Sequence, residues 1–251
     1  MLTAALFVAL FAGSAENIAA AAKAPSFLSK KFVVFEGREE KDDIITVDMA
    51  YLGIKNRSVN AEEIDDVKNS NEDVCACGSL FYLLETTDDG LYCVAYKAGT
   101  NKVTYKLKQG GKTYTLKTTV KVKKASKKNL PFSYVKVDGE NFYKKGSYNS
   151  CELVTDDHTA KIEYKLNKGW KLKSMYTHTH YEELEKDKDA EEEGSTDIID
   201  VGKKTSDKKI KNGQKVKLRT NLRHWNTEVF IDVVNKSGEV CHYVISFSED
   251  D

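Results

Sequence analysis

Several things this 251-residue chain lacks narrow what it can be. It lacks a charge imbalance: 39 basic side chains balance 39 acidic ones, so no global field draws it to nucleic acid or to an anionic membrane. It lacks a long hydrophobic run. The apolar stretch at residues 2–12 has 11 residues, against the roughly 20 that a helix needs to cross a bilayer, so no retained membrane span is expected. It also lacks any sustained 3.6-residue apolar period, which excludes helical enzyme scaffolds. No Gly-x-Ser-x-Gly elbow, HExxH pair, P-loop or dinucleotide fingerprint occurs. The expectation is therefore a non-enzymatic module that needs no cofactor.

Prolines are scarce too, and the two present, Pro25 and Pro131, fall where boundaries are wanted. Residues 1–24 pair an apolar run with a small-residue stretch offering Ala-x-Ala processing sites, which reads as a secretory signal. The basic start of such a signal is missing, since no Lys or Arg precedes Lys23. The chain is expected to be secreted or to sit at the cell surface. Pro131 follows a polar, Lys-rich stretch that reads as a linker. That divides the remainder into domains at 25–128 and 129–251.

What is abundant is period-two alternation. Around a Gln109-Gly110-Gly111 turn, Val103, Tyr105 and Leu107 fall on one side of one strand, and Tyr114, Leu116, Val120 and Val122 on one side of the next. That is a β-hairpin with one buried face. Further strands are expected at residues 31–35, 44–47, 80–85 and 91–96 in the first half. In the second they are expected at 132–137, 160–166 and 215–219, and in a hairpin of 227–234 with 240–247 around Asn235-Lys236-Ser237-Gly238. Residues 56–73 are too polar for a core strand and are expected to form a loop or a helical turn. The fold class is all-β, two tandem immunoglobulin-like antiparallel β-sandwich domains.

Residues 96–105, with Ala98-Gly99-Thr100 before an alternating strand, then Gly110-Gly111-Lys112-Thr113-Tyr114 and Val120-Lys121-Val122, resemble the closing strands of bacterial immunoglobulin-like domains of the second group. The likeness covers roughly residues 30–124. Cys75 and Cys77 depart from the Ser/Asn-rich approach usual there. The second half resembles the Tyr- and Lys-rich sandwich modules found beside such domains in exported proteins of Gram-positive bacteria. The resemblance implies adhesion, spacer or carbohydrate-associated roles, with a cell-surface or extracellular protein or glycan as partner.

Charges are segregated. Residues 97–128 hold 11 Lys and no acid, which reads first as the solvated outer face of the hairpin. Residues 182–200 hold 10 acids against Lys186 and Lys188, and within them residues 187–194 read as a solvated loop between two strands rather than a calcium loop, since the EF-hand pattern fails. His178 and His180, two apart on an extended chain, share a face with Glu182, a pattern that suits a transition metal and the alternative of a metal-dependent hydrolase. Trp170, Tyr176, Tyr181 and Trp225 could form an exposed aromatic row that stacks on sugar faces, the alternative of a carbohydrate-binding module; the competing role for large rings is the sandwich core. Five cysteines leave one over in any disulfide set. Cys151 could pair with Cys241, and Cys93 with Cys75 or Cys77. Cys75 and Cys77 would project to one face of a strand, so with Cys93 they could also make a thiolate metal site, without the two CxxC pairs of a strong zinc signature.

Overall fold

The computed structural model describes residues 23–36, 49–57, 61–78, 90–145, 147–186, 198–218 and 226–248. The first half forms β1 (Ser26–Phe27), β2 (Lys31–Phe35), β3 (Met49–Lys55), β4 (Glu62–Asn69), β5 (Cys75–Gly78), β6 (Gly90–Ala95), β7 (Gly99–Gln109) and β8 (Lys112–Lys123). The second forms β9 (Phe132–Val137), β10 (Glu140–Asn141), the single turn α1 (Phe142–Lys145), β11 (Ser150–Val154), β12 (Thr159–Leu166), β13 (Trp170–Lys186), β14 (Ile198–Lys209), β15 (Lys215–Lys217), β16 (Asn226–Asn235) and β17 (Val240–Ser248). The class is all-β. Nearly all of the signal stretch, the expected strand at 44–47, that at 80–85 and Trp225 lie outside the described residues.

The β7–β8 hairpin follows directly from its sequence. Gln109 pairs with Lys112 across Gly110 and Gly111, whose φ values of 56° and 74° favour glycine in a two-residue turn. Val103, Tyr105, Leu107, Leu116, Val120 and Val122 are buried, and Lys102, Lys108, Lys112, Lys117 and Lys121 are exposed. The Lys-rich segment is the outer face of that hairpin.

One sequence expectation changes. Residues 62–69 form β4, hydrogen-bonded to β7 at the end of its sheet. An edge strand satisfies its backbone on one side and needs little apolar surface, which is why its polarity concealed it. Lys108 faces Glu62 across the ladder at 3.4 Å. The acidic loop expected at residues 187–194 lies outside the described residues; β13 runs up to it through Lys186, and β14 begins at Ile198.

The strands form two four-stranded sheets, β1-β3-β6-β5 and β10-β9-β12-β15, and one nine-stranded sheet ordered β14-β13-β16-β17-β2-β8-β7-β4, with β11 alongside β17. Most ladders are antiparallel; β11–β17, β17–β2 and β2–β8 run parallel. β2 explains how one large sheet serves both halves. Phe32 and Val34 enter the first core, among β3, β5, β6, β7 and β8 residues. Val33 and Phe35 enter the second core, among β9, β12, β16 and β17 residues. A strand buried on both faces reads as an unbroken apolar run, as Phe32-Val33-Val34-Phe35 does, and each such side chain contributes about 1.5–3 kcal/mol on burial.

The halves are also tied by polar contacts. Asn149 acts as an extra strand residue at the end of β2: its Oδ1 accepts from the Phe35 N–H and its Nδ2 donates to the Phe35 carbonyl, both at 2.9 Å. Ser150 Oγ donates to the Met49 carbonyl at 2.9 Å, and Lys173 Nζ donates to that of Leu28 at 3.0 Å. At the opposite end Glu239, in the β16–β17 turn, accepts from Lys121 and Lys123 of β8 at 3.3 and 2.6 Å.

Candidate functional site

Successive side chains of β16 and β17 point alternately to the second core and to the opposite face of the sheet. On that opposite face Phe230 and Val244 meet Tyr51 of β3, with Tyr92 and Tyr176 packed at the margin. Tyr51 lies 5.5 Å from Phe230 and 5.1 Å from His242, ring centre to ring centre, and Tyr176 stacks on Phe230 at 5.0 Å. This aromatic seam is where the first half covers the second.

Beneath the seam sits a buried polar group. His242 Nδ1 is bonded to Asp232 Oδ1, and Ser174 Oγ donates to Asp232 Oδ2. Both ring and carboxylate are sealed from solvent, at 1% and 0% side-chain exposure. Burial would raise the Asp232 carboxyl, but the charge and hydrogen bond of His242, the Ser174 hydroxyl and Lys173 together hold it below the usual carboxylate range. Ser174 and His242 both bond Asp232 and not each other, so the serine–histidine contact of a hydrolase triad is not formed here. The arrangement anchors the seam.

Where the seam opens, a cleft of 440 Å³ is lined by Tyr51, Gly53 and Arg57 from the first half and by Tyr176, His178, Asp207, Glu228 and Phe230 from the second. A second hollow of 610 Å³ shares Leu28, Lys55, Tyr176 and Asp207 with it and adds Lys173 and Lys209. Rings thus sit among both signs of charge. His178, opposite Asp207 in the β13–β14 ladder, bonds it through Nδ1 at 2.7 Å and lies edge-on to Phe230.

Of the residues singled out in the sequence, Tyr176 and His178 come together in this cleft. Trp170 is half-buried against the second core. His180, Tyr181 and Glu182 follow on β13, with side chains outside the described residues. No group of three metal-binding side chains forms around His178 among the described residues. The Cys151–Cys241 pairing meets an obstacle in register. Cys151 sits opposite Ile245 on β17, four residues from Cys241, about 13 Å along the strand, whereas a disulfide spans Cα atoms at most about 7 Å apart. Both are free thiols. Sequence reasoning missed Tyr51, Arg57, Asp207 and Glu228; only tertiary pairing brings them to Tyr176.

The structure does gather one set of potential metal ligands. Cys75 and Cys77 project from β5 to one face, Cys77 pairs directly with Cys93 on β6, and the three sulfurs lie within 4.8 Å of one another inside the first core. The facing sheet holds their backbone: Asn69 accepts from the Cys77 N–H at 3.1 Å and donates to its carbonyl at 2.9 Å, while Asn101 Nδ2 donates to the Cys75 carbonyl at 2.8 Å and reaches its sulfur at 3.5 Å. Hydrogen bonds from Cys77 and Cys93 pull the Cys75 thiol far below its usual range, to about 4, and the other two are pushed up in return.

No protein-family model matches the chain, and no curated protein matches it. Among solved structures it is similar to the fibronectin(III)-like modules of Clostridium thermocellum CbhA, at 8% identity over 90% of this chain and 95% of that one, with a TM-score of 0.24. Domains 5–6 of the S-layer protein SbsC give 8% identity over 91% and 98%, TM-score 0.30. Protocadherin Gamma B7 cadherin domains 1–4 give 10% over 90% and 51%, TM-score 0.26. Scores this low carry no functional argument, so function is read from the chain's own geometry.

Proposed function

We propose that this chain is a non-catalytic, exported or cell-surface recognition module that binds an extracellular glycan in the cleft between its halves. The observation that carries the reading is the cleft's composition. Tyr176 backed by Phe230 offers a ring face for the apolar side of a sugar, and Arg57, Asp207, Glu228 and Lys55 surround it with donors and acceptors for hydroxyl groups. A non-catalytic role fits the Ser174–Asp232–His242 set, in which the serine and the histidine bond the carboxylate and not each other. Export is supported by the signal-like residues 1–24. No helix among the described residues is long and apolar enough to cross a membrane.

The test is a screen of the chain from residue 25 onward against immobilised glycans and matrix proteins, with and without EDTA. Binding to a glycan is expected to survive EDTA and to weaken by about 1–2 kcal/mol in Tyr176→Ala. A spacer would bind nothing in the screen. EDTA-sensitive binding, or binding indifferent to Tyr176→Ala, would move recognition out of this cleft.

A further inference from the structure

We infer that Cys75, Cys77 and Cys93 form a buried three-coordinate site for a soft, thiophilic cation, and that the ion is Cu(I). A two-residue step along β5 turns both of its sulfurs to one face, and the ladder sets Cys93 straight across from Cys77, so three sulfurs converge on one point. Three sulfurs each about 2.3 Å from a central ion lie about 4 Å apart, and here all three pairs already fall within 4.8 Å. Small rotations about the side-chain bonds would close the site.

The surroundings choose the ion. Soft thiolates select Cu(I), zinc and iron–sulfur clusters over harder ions. Structural zinc takes four protein ligands. Among the described residues no histidine or carboxylate joins the three sulfurs, and Cys75, Cys77 and Cys93 are 0%, 4% and 0% exposed, so bulk solvent does not reach the site to supply a fourth ligand. Cu(I) is content with three sulfurs. The second layer is in place as well: Asn69 and Asn101 reach across from the facing sheet to fix the Cys75–Cys77 backbone, so the ligands are held before the ion arrives.

Loading is a ligand exchange. Cu(I) arrives on a small thiol carrier, its carrier sulfur bonds break as the protein sulfur bonds form, and the displaced thiol protons pass to the carrier and to water. No electron moves, because copper stays Cu(I) throughout. The proposal is independent of the glycan cleft and can fail without affecting it.

The experiment is an anaerobic titration of the reduced full chain with Cu(I), in competition with the chromophoric chelator bicinchoninate. The expected result is one Cu(I) per chain, a thiolate-to-copper absorption in the ultraviolet, and a raised melting temperature. Cys77→Ala and Cys93→Ala abolish this binding, while Cys151→Ala and Cys241→Ala keep it. X-ray absorption of the loaded, unmutated chain should show three sulfur neighbours, a readout that needs no variant to fold. The proposal is overturned by no saturable binding, by binding that persists in Cys93→Ala, by two sulfur neighbours, or by equimolar Zn(II) displacing the copper. A disulfide between two of Cys75, Cys77 and Cys93, found by peptide mapping of the unreduced, metal-free chain, would likewise overturn it.

Discussion

The two cores fill the space between a shared sheet and a smaller one with different chemistry. The second core is built on rings: Phe132 meets Tyr143, Tyr164 and Tyr243 edge-on at 5.4, 5.9 and 5.6 Å, and Tyr143 meets Tyr243 at 5.5 Å. Among the described residues the first core holds one such ring pair, Phe27 with Phe32, and sets three thiols among Leu52, Leu91, Leu107 and Val103. Rings fill volume and fix shape through their edges. Thiols fill little volume and keep reactivity. The first core therefore places small side chains where it holds its sulfur cluster, and the second core is expected to carry more of the stability.

Truncations should expose that difference most strongly. Phe132→Ala removes the ring that three tyrosines touch and is expected to cost about 4 kcal/mol in denaturant unfolding, whereas Cys93→Ala in the metal-free chain should cost about 1 kcal/mol. Equal losses would erase the contrast between the cores.

Next in size comes the buried polar group of the second half, on which the first half's Tyr51 packs. Asp232→Asn leaves His242 facing an amide in a sealed site and should cost about 3 kcal/mol, read by the same unfolding curves. A loss below about 0.5 kcal/mol, as at an ordinary surface position, would mean the seam does not depend on this pair.

Glu239 tests the other end of the junction. Burial would raise its carboxyl, but Lys123, Asn235 and Lys121 draw it down from 4.5 to about 2. A group depressed on folding stabilises above its unfolded value and loses that contribution as pH falls through its folded one. The chain should therefore lose stability as pH drops from about 4.5 towards 2. Glu239→Gln should cost about 1.5 kcal/mol at neutral pH and flatten that acid limb. An unchanged limb would place the acid sensitivity elsewhere.

The smallest effect is expected at Tyr105, whose hydroxyl is buried without a hydrogen-bond partner among the described residues. Tyr105→Phe removes an unsatisfied group and should be neutral or stabilising by up to about 1 kcal/mol. A clear destabilisation would reveal a partner for that hydroxyl.

The sequence was most readable where structure is local. The β7–β8 and β16–β17 hairpins show their alternation and their turns, β9 and β12 alternate as well, and β2 stands out as an apolar run. It was least readable where pairing is remote. β4 is polar because an edge needs only one neighbour. The two-faced role of β2 depends on a strand from each half, and the fate of Cys151 and Cys241 was decided by a parallel register that neither neighbourhood encodes. The site divides in the same way. Tyr176 and His178 share a face by spacing alone, as do Cys75 and Cys77, but Tyr51 and Arg57 reach the cleft, and Cys93 reaches its partners, only through the assembled sheets.

The central claim is that the two halves work as one unit, because the seam between them carries the cleft. Scanning calorimetry of the chain from residue 25 onward tests it directly. The account predicts one unfolding transition whose van't Hoff and calorimetric enthalpies agree. Two separate transitions, with the second half melting as it does in an isolated fragment of residues 129–251, would contradict it.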